Sequence, residues 1–128
     1  MIHLDTSTLI DALTGPKRSA PALRSAIEAG ERVLFSTIVL YEWLRGSRLL
    51  PEVAAQEALF PRDAAVPFGM DEAAIAAGLY RTVKRARGRE IDLAIAATAI
   101  AQRADLWTLN GEDFRDIPSL TLYKPSTG

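Results

Sequence analysis

The chain has 128 residues, of which 48% are hydrophobic and 24% are charged, and its formal net charge is −1 at pH 7. This length fits one domain of residues 1–128, and the near-neutral charge gives no overall basic footprint for nucleic acid. Zero cysteines and a single histidine exclude disulfides and thiolate or His-rich metal sites, and with no membrane-length apolar run or signal-peptide start we expect a cytoplasmic protein.

The first short apolar run, Ile2 to Leu4, predicts a buried strand that ends at Asp5. Three hydroxyl residues follow at 6–8 and offer capping oxygens for a first helix. Asp5 is therefore expected at the carboxyl end of a strand, where open α/β sheets bind their ligands. The alternative is that Asp5 only caps the helix.

Helices and strands are predicted to alternate along the rest of the chain. Helices are expected over 19–30, 38–44, 52–60, 72–86 and 91–101, and strands over 32–35, 64–68, 106–109 and 120–123. The last helix is apolar on all sides and must be buried. This order predicts an α/β fold with a parallel five-stranded sheet flanked by helices, and the segment 38–60 predicts a helical clip beside the sheet.

Several acidic residues are placed to meet at one edge of this sheet. Asp92 begins the buried helix, where an isolated carboxylate is costly, so it caps the helix, pairs with a cation or binds a metal. Glu42 lies in a helix among aromatic residues, and Asn110 and Asp113 follow a strand as Asp5 does. Three or four acids without histidine, cysteine or lysine favour a hard divalent cation, Mg²⁺ or Mn²⁺.

Four motifs, in their order and spacing, resemble the PIN-domain ribonucleases and, more closely, the VapC toxins of toxin–antitoxin pairs. They are residues 2–7, 36–42, 91–97 and 107–118, so the resemblance covers nearly the whole chain. It implies a PIN-like domain that hydrolyses RNA by a metal-activated water and leaves a 5′-phosphate and a 3′-hydroxyl. It also implies a homodimer or toxin–antitoxin hetero-oligomer, held inactive by a cognate antitoxin whose tail lies along the toxin.

The same resemblance assigns roles to individual residues. The catalytic acids would be Asp5, Glu42, Asp92 and Asp113, with the first three binding the metal. The family often has an acid where this chain has Asn110, so it stays open whether Asn110 or Asp113 fills the fourth position. Side chains that orient carboxylates or water would be Thr6, Ser7, Thr108 and Asn110.

A basic cluster precedes Asp92 and has two interpretations. Its members are Arg81, Lys84, Arg85, Arg87 and Arg89. They form either a solvated face or a contact for RNA phosphates, in which case Arg85, Arg87 and Arg89 are the expected RNA-binding residues. His3 is predicted to be a hydrogen-bonded strand residue and not a metal ligand.

Two further questions stay open at this point. The apolar residues of the clip either form a groove for the antitoxin tail or fill the core; they are Trp43, Leu44, Leu49, Leu50 and Phe60. The alternative function is a catalytically weak or inactive PIN-like module that binds RNA or a partner, which Asn110 favours. HAD-type phosphatases fit poorly, because Ser7 stands where they need a second acid and their later lysine is absent. Receiver domains fit poorly because they need a lysine near the end of the sheet, and Lys124 lies too close to the terminus.

Overall fold

The central layer of the fold is a short parallel sheet, seen in a computed structural model that describes residues 1–126. Its strands are β1 (Ile2–Leu4), β2 (Val33–Leu34) and β3 (Asp105–Trp107), and their spatial order is β2-β1-β3. Ile2 lies opposite Val33 on one side and opposite Asp105 on the other. β1 is the central strand, and all three of its residues are buried.

Helices surround this sheet and connect its strands. They are α1 (Thr6–Leu13), α2 (Ala20–Glu28), α3 (Thr37–Arg45), α4 (Leu50–Leu59), α5 (Met70–Thr82) and α6 (Glu90–Ala101). Two 3₁₀ turns cover Arg62–Ala64 and Gly111–Asp113. Among the described residues, no helix has the length and apolar character needed to cross a membrane.

The prediction of five strands is wrong. The segments 64–68 and 120–123 each contribute a single parallel bridge, Ser36 with Val66 and Leu106 with Leu122. Pairing stops there because the neighbouring chain enters α3 at Thr37, and the N–H of Phe68 donates to Thr37 Oγ1 at 3.1 Å instead of to a strand carbonyl. The second segment makes two backbone hydrogen bonds to one residue, Leu106, and no continuous ladder.

The prediction that α6 is buried is confirmed, since seven consecutive residues from Leu93 to Ala99 are buried in it. Helix α5 is shorter than predicted and ends at Thr82, because Val83 is extended and Arg85 has a positive φ of 57°. Arg81 therefore lies in α5, whereas Arg85 lies outside it.

The two helices expected between residues 38 and 60 are present, but a separate projecting clip is not confirmed. Helix α3 packs against α1 and α6, and α4 contacts α1. Trp43 and Phe60 belong to the hydrophobic core, with exposed fractions of 0% and 5%. They are therefore not available as part of a surface groove.

A buried hydroxyl connects the first helix to the sheet. Thr8 in α1 is fully buried, and its Oγ1 donates a 2.8 Å hydrogen bond to the carbonyl oxygen of Trp107. The same carbonyl accepts the backbone N–H of Asp5 at 2.9 Å. The ends of β1 and β3 and the start of α1 are thereby held together.

We expect Thr8→Val, which keeps the shape and removes the hydroxyl, to lower the free energy of unfolding by about 1 kcal/mol in urea titrations. Thr82→Val is the matched control, since Thr82 makes the same kind of bond, to Gly78, at an exposed position. The control should change stability by less than about 0.5 kcal/mol. Equal losses in both variants would contradict a special role for the buried bond.

Candidate acidic active site

Asp5 lies at the carboxyl end of β1, as predicted, and is buried, with an exposed fraction of 5%. It is the N-cap residue of α1, yet its side chain makes no capping hydrogen bond. Instead, Ser7 Oγ and Thr108 Oγ1 each donate a 2.7 Å hydrogen bond to Asp5 Oδ2. The alternative that Asp5 only caps the helix is therefore wrong.

The two hydroxyls beside Asp5 are themselves oriented by the backbone that follows β3. The N–H of Leu109 donates to Ser7 Oγ at 3.0 Å, and the N–H of Asn110 donates to Thr108 Oγ1 at 3.0 Å. Each hydroxyl accepts one hydrogen bond and donates its proton to the carboxylate. Both protons point to one oxygen of Asp5, which fixes the orientation of the carboxylate.

Glu42 extends from α3 toward the start of α1. Thr6 Oγ1 donates a 2.6 Å hydrogen bond to Glu42 Oε1, and Arg45 Nη2 donates at 3.2 Å to Oε2. The sequence predicts an orienting hydroxyl at Thr6, and the structure adds Arg45 as a second partner of Glu42. The signal was present, because residues three apart on a helix are neighbours.

Asp92 is the third residue of α6 and is only partly exposed. The N-cap residue is Arg89, no side chain caps this helix end, and Asp92 forms no ion pair within residues 1–126. Burial and, after it, the negative charges of Asp5, Asp113 and Glu42 together raise the pKa of Asp92 from 3.8 to about 6. Two of the three interpretations of Asp92, capping and ion pairing, are not supported by this geometry.

The fourth position is divided between two residues of the segment after β3. Asn110 is exposed and contributes its backbone N–H to Thr108. Asp113, in the turn Gly111–Asp113, is close enough to Asp92 for its charge to raise the pKa of that carboxyl. The structure thus brings Asp113 into the electrostatic neighbourhood of the other acids.

These acids do not form a closed cage. Within residues 1–126, no three His, Cys, Asp or Glu side chains group tightly enough to enclose an ion by themselves. Proteins often bind Mg²⁺ through one or two carboxylates together with water and substrate phosphates, so a site for it need not be enclosed by protein ligands. The donor set, oxygen only, also matches a hard cation.

The predicted basic cluster divides into two kinds of residue. Arg85 and Arg87 are exposed and lie outside any helix. Arg89 is instead engaged with the protein, because it forms an ion pair of 2.6 Å with Asp116. Asp116 lies 27 residues after Arg89, so no local pattern in the sequence indicates this pair.

His3 is buried in β1 with an exposed fraction of 2%. Burial, with a smaller effect of the positive N-terminus, lowers the pKa of His3 to about 4, so the ring is neutral at pH 7. Its Nε2 has no hydrogen-bond partner in the described part of the chain, so the predicted hydrogen bond is not made at that atom.

Known proteins are similar to this chain in both sequence and fold. The profile of the PIN domain matches residues 2–120. Ribonuclease VapC19 of Mycobacterium tuberculosis is 37% identical over 119 residues, which are 91% of this chain and 94% of that protein. A toxin–antitoxin complex from Klebsiella pneumoniae contains a chain with 27% identity, a TM-score of 0.69 and coverage of 97% of this chain and 99% of that one. FitAcB from Neisseria gonorrhoeae has 26% identity, a TM-score of 0.71 and coverage of 98% of both chains.

The chain therefore belongs to the PIN-domain family, with a profile match over most of its length. Within that family it is similar to the VapC proteins, so the resemblance seen in its motifs is confirmed.

We expect Asp92→Asn to stabilise the metal-free protein near neutral pH. Because folding raises the pKa of Asp92 to about 6, its contribution to stability is full below about pH 4 and is lost as the pH rises through 6. In EDTA at pH 7.5 the variant should gain about 1 kcal/mol, a value reduced for solvent screening, and at pH 4 it should gain almost nothing. Urea unfolding at both pH values measures this difference.

Asp63→Asn serves as the control for this experiment, since Asp63 is exposed on the Arg62–Ala64 turn. Its stability should match that of the wild type at both pH values. A clear loss of stability in Asp92→Asn at pH 7.5 would mean that Asp92 supports the helix end instead of being repelled by its neighbours.

Proposed function

We propose that this chain is a metal-dependent endoribonuclease of the VapC type, acting in the cytoplasm as the toxin of a type II toxin–antitoxin pair. The observation that carries the proposal is the meeting of acids from different elements around Asp92. Asp5 directly follows β1, Glu42 lies in α3 and Asp113 lies in the turn after β3, and each raises the pKa of Asp92. Such mutual repulsion is the arrangement that a bound cation relieves.

The metal-binding residues in this proposal are Asp5, Glu42 and Asp92, and the cation is Mg²⁺ or Mn²⁺. When bound, such a cation supplies an activated water and stabilises negative charge on a phosphate. Ser7 and Thr108 support the proposal because they hold one oxygen of Asp5. Thr6 likewise fixes Glu42, so two of the three carboxylates are oriented before any ligand binds.

The remaining residues of the site have roles in binding and charge. Asp113 is proposed as the fourth acid, because its charge acts on Asp92. Arg45 neutralises part of the charge of Glu42 through their ion pair, in which the Arg45 side chain is 54% exposed and the Glu42 side chain 17%. Arg85 and Arg87 remain proposed contacts for RNA phosphates, since both are exposed near the start of α6.

An inactive PIN-like binding module is the second candidate function, and Asn110 in place of an acid is the observation that favours it. Against it stands the position of Asp113, which supplies a carboxylate to the same neighbourhood from the adjacent turn. The 37% identity to a named ribonuclease also favours catalysis. Metal-dependent cleavage separates the two candidates.

We expect purified protein, freed of any co-purified partner, to cleave a labelled RNA pool in Mn²⁺ or Mg²⁺ and to leave 5′-phosphate ends. EDTA should abolish cleavage. Asp5→Asn should lower the rate by about 100-fold or more, since metal-assisted catalysis is worth several kcal/mol. Asp63→Asn is the matched control and should cleave as the wild type does.

Cleavage that persists in EDTA or in Asp5→Asn would contradict the proposal. If no sample cleaves the RNA, calorimetric titration with Mn²⁺ distinguishes an absent substrate from an inactive protein. If the wild type binds Mn²⁺ and Asp5→Asn does not, the RNA pool lacked the substrate. If the wild type binds no Mn²⁺, the protein is the inactive module.

The partner proposed for this chain is an antitoxin, with which it forms a hetero-oligomer. A similar chain from Klebsiella pneumoniae is found in a toxin–antitoxin complex. An apolar cleft of about 290 Å³ lies between α1, α2 and the end of α4. Leu13, Leu23, Ile27 and Leu59 line it, with Arg24 and Glu28 beside them, so it suits an amphipathic helix with charged flanks.

This cleft differs from the groove that the sequence suggested along residues 38–60. We expect Ile27→Glu to prevent co-purification of the antitoxin from the native host, identified by mass spectrometry, because a carboxylate would be desolvated in an apolar cleft. Leu50→Glu tests the rival groove, since Leu50 is 86% exposed, and Met70→Glu, at 90% exposure, is the control. Loss of the partner in Leu50→Glu alone would move the contact to the rival groove.

A further inference from the structure

Arg89 connects the start of α6 to the turn after β3. It is the N-cap residue of α6, three positions before Asp92. Its Nη2 donates to the carbonyl oxygen of Asp113 at 2.9 Å and to Asp116 Oδ1 at 2.6 Å. Its Nη1 donates to Asp116 Oδ2 at 2.9 Å and to the carbonyl oxygen of Lys84 at 3.1 Å. One side chain thus holds three separate points of the backbone or loop.

The geometry of these bonds limits how the two acids can move relative to each other. A guanidinium is a planar fork, and its bidentate pairing with a carboxylate fixes orientation as well as distance. Arg89 bonds the carbonyl of Asp113 and not its carboxylate, so the acidic group stays free to face the site. The side chain of Arg89 is 20% exposed and that of Asp116 is 48% exposed, so the pair lies at the surface with its arginine partly covered.

We propose that Arg89 is a positioning residue that fixes Asp113 relative to Asp92, so that both carboxylates face the same cation. The inference rests on the proposed metal-dependent function and assigns Arg89 a role different from the RNA contact expected from the sequence. Within residues 1–126, Arg89 makes these bonds, and neither Arg85 nor Arg87 makes a side-chain hydrogen bond or ion pair with the turn.

A positioning role and a purely electrostatic role of Arg89 predict opposite changes in metal affinity when the residue is replaced. A positive charge close to a cation site weakens cation binding, so its removal by itself tightens binding. Loss of a positioning contact instead separates the ligands and weakens binding. The direction of the change in metal affinity therefore distinguishes the two effects.

The experiment is calorimetric titration of the full chain with Mn²⁺, without RNA. Arg89→Gln and Arg89→Lys should each weaken Mn²⁺ binding by about tenfold. The lysine variant keeps the positive charge but lacks the planar guanidinium, so its weaker binding would result from the lost contacts alone. Arg115→Gln is the matched control, since it removes a positive charge from the same loop and breaks only an exposed pair with Glu112. The control should bind as tightly as the wild type or slightly more tightly.

A second measurement needs no metal. The N–H groups of Asp113 and Phe114 donate to the carbonyls of Asn110 at 2.9 Å and Gly111 at 3.1 Å, so their hydrogen exchange reports on the turn. Exchange should be faster in both Arg89 variants and unchanged in Arg115→Gln, with circular dichroism showing that every variant is folded.

The outcomes separate this inference from the function on which it rests. If Asp5→Asn loses Mn²⁺ binding but Arg89→Gln binds as the wild type or more tightly, Arg89 does not position the acids and the proposed function stands. Unchanged exchange at residues 113 and 114 overturns the inference as well. If the wild type binds no Mn²⁺, both the proposed function and the inference fail.

Discussion

The candidate site depends on the two hydroxyl groups that donate to one oxygen of Asp5. Ser7 comes from α1 and Thr108 follows β3, and each bond is 2.7 Å long. Because the backbone N–H groups of Leu109 and Asn110 orient these hydroxyls in turn, the carboxylate is held from two chain segments about a hundred residues apart. A carboxylate that is fixed in this way is ready to bind a ligand without further ordering.

Grouping several acids around a partly buried carboxyl costs stability in the metal-free protein. The raised pKa of Asp92 expresses this cost, since both burial and the neighbouring acids disfavour its charged form. The positive charge of Arg89 offsets part of this cost, since it lowers the pKa of Asp92, and Arg45 pairs with Glu42 at the edge of the site. The arrangement is typical of functional sites, where stability is given up for chemistry.

Much of the fold could be predicted, because its signals are local. The apolar run before Asp5 indicated β1, and the apolar residues on every side of α6 indicated a buried helix. The two missing strands show the limit of such signals. Val66 and Leu122 lie in apolar runs that look like strands, but each finds a partner for only one bridge. Whether an apolar segment becomes a strand depends on a neighbour with free hydrogen-bonding groups, and that neighbour is distant in sequence.

The sequence by itself determined the family, the acidic residues and the orienting hydroxyls, because these depend on residue type and on spacing along one strand end or helix. Only the tertiary structure decided which groups these residues meet. It showed that the Asp5 carboxylate bonds to Thr108 and does not cap the helix, that Asp113 acts on Asp92, and that Arg89 pairs with Asp116. Each of these contacts joins residues that are far apart in sequence, and folding alone brings them within the few ångströms over which hydrogen bonds and charges act.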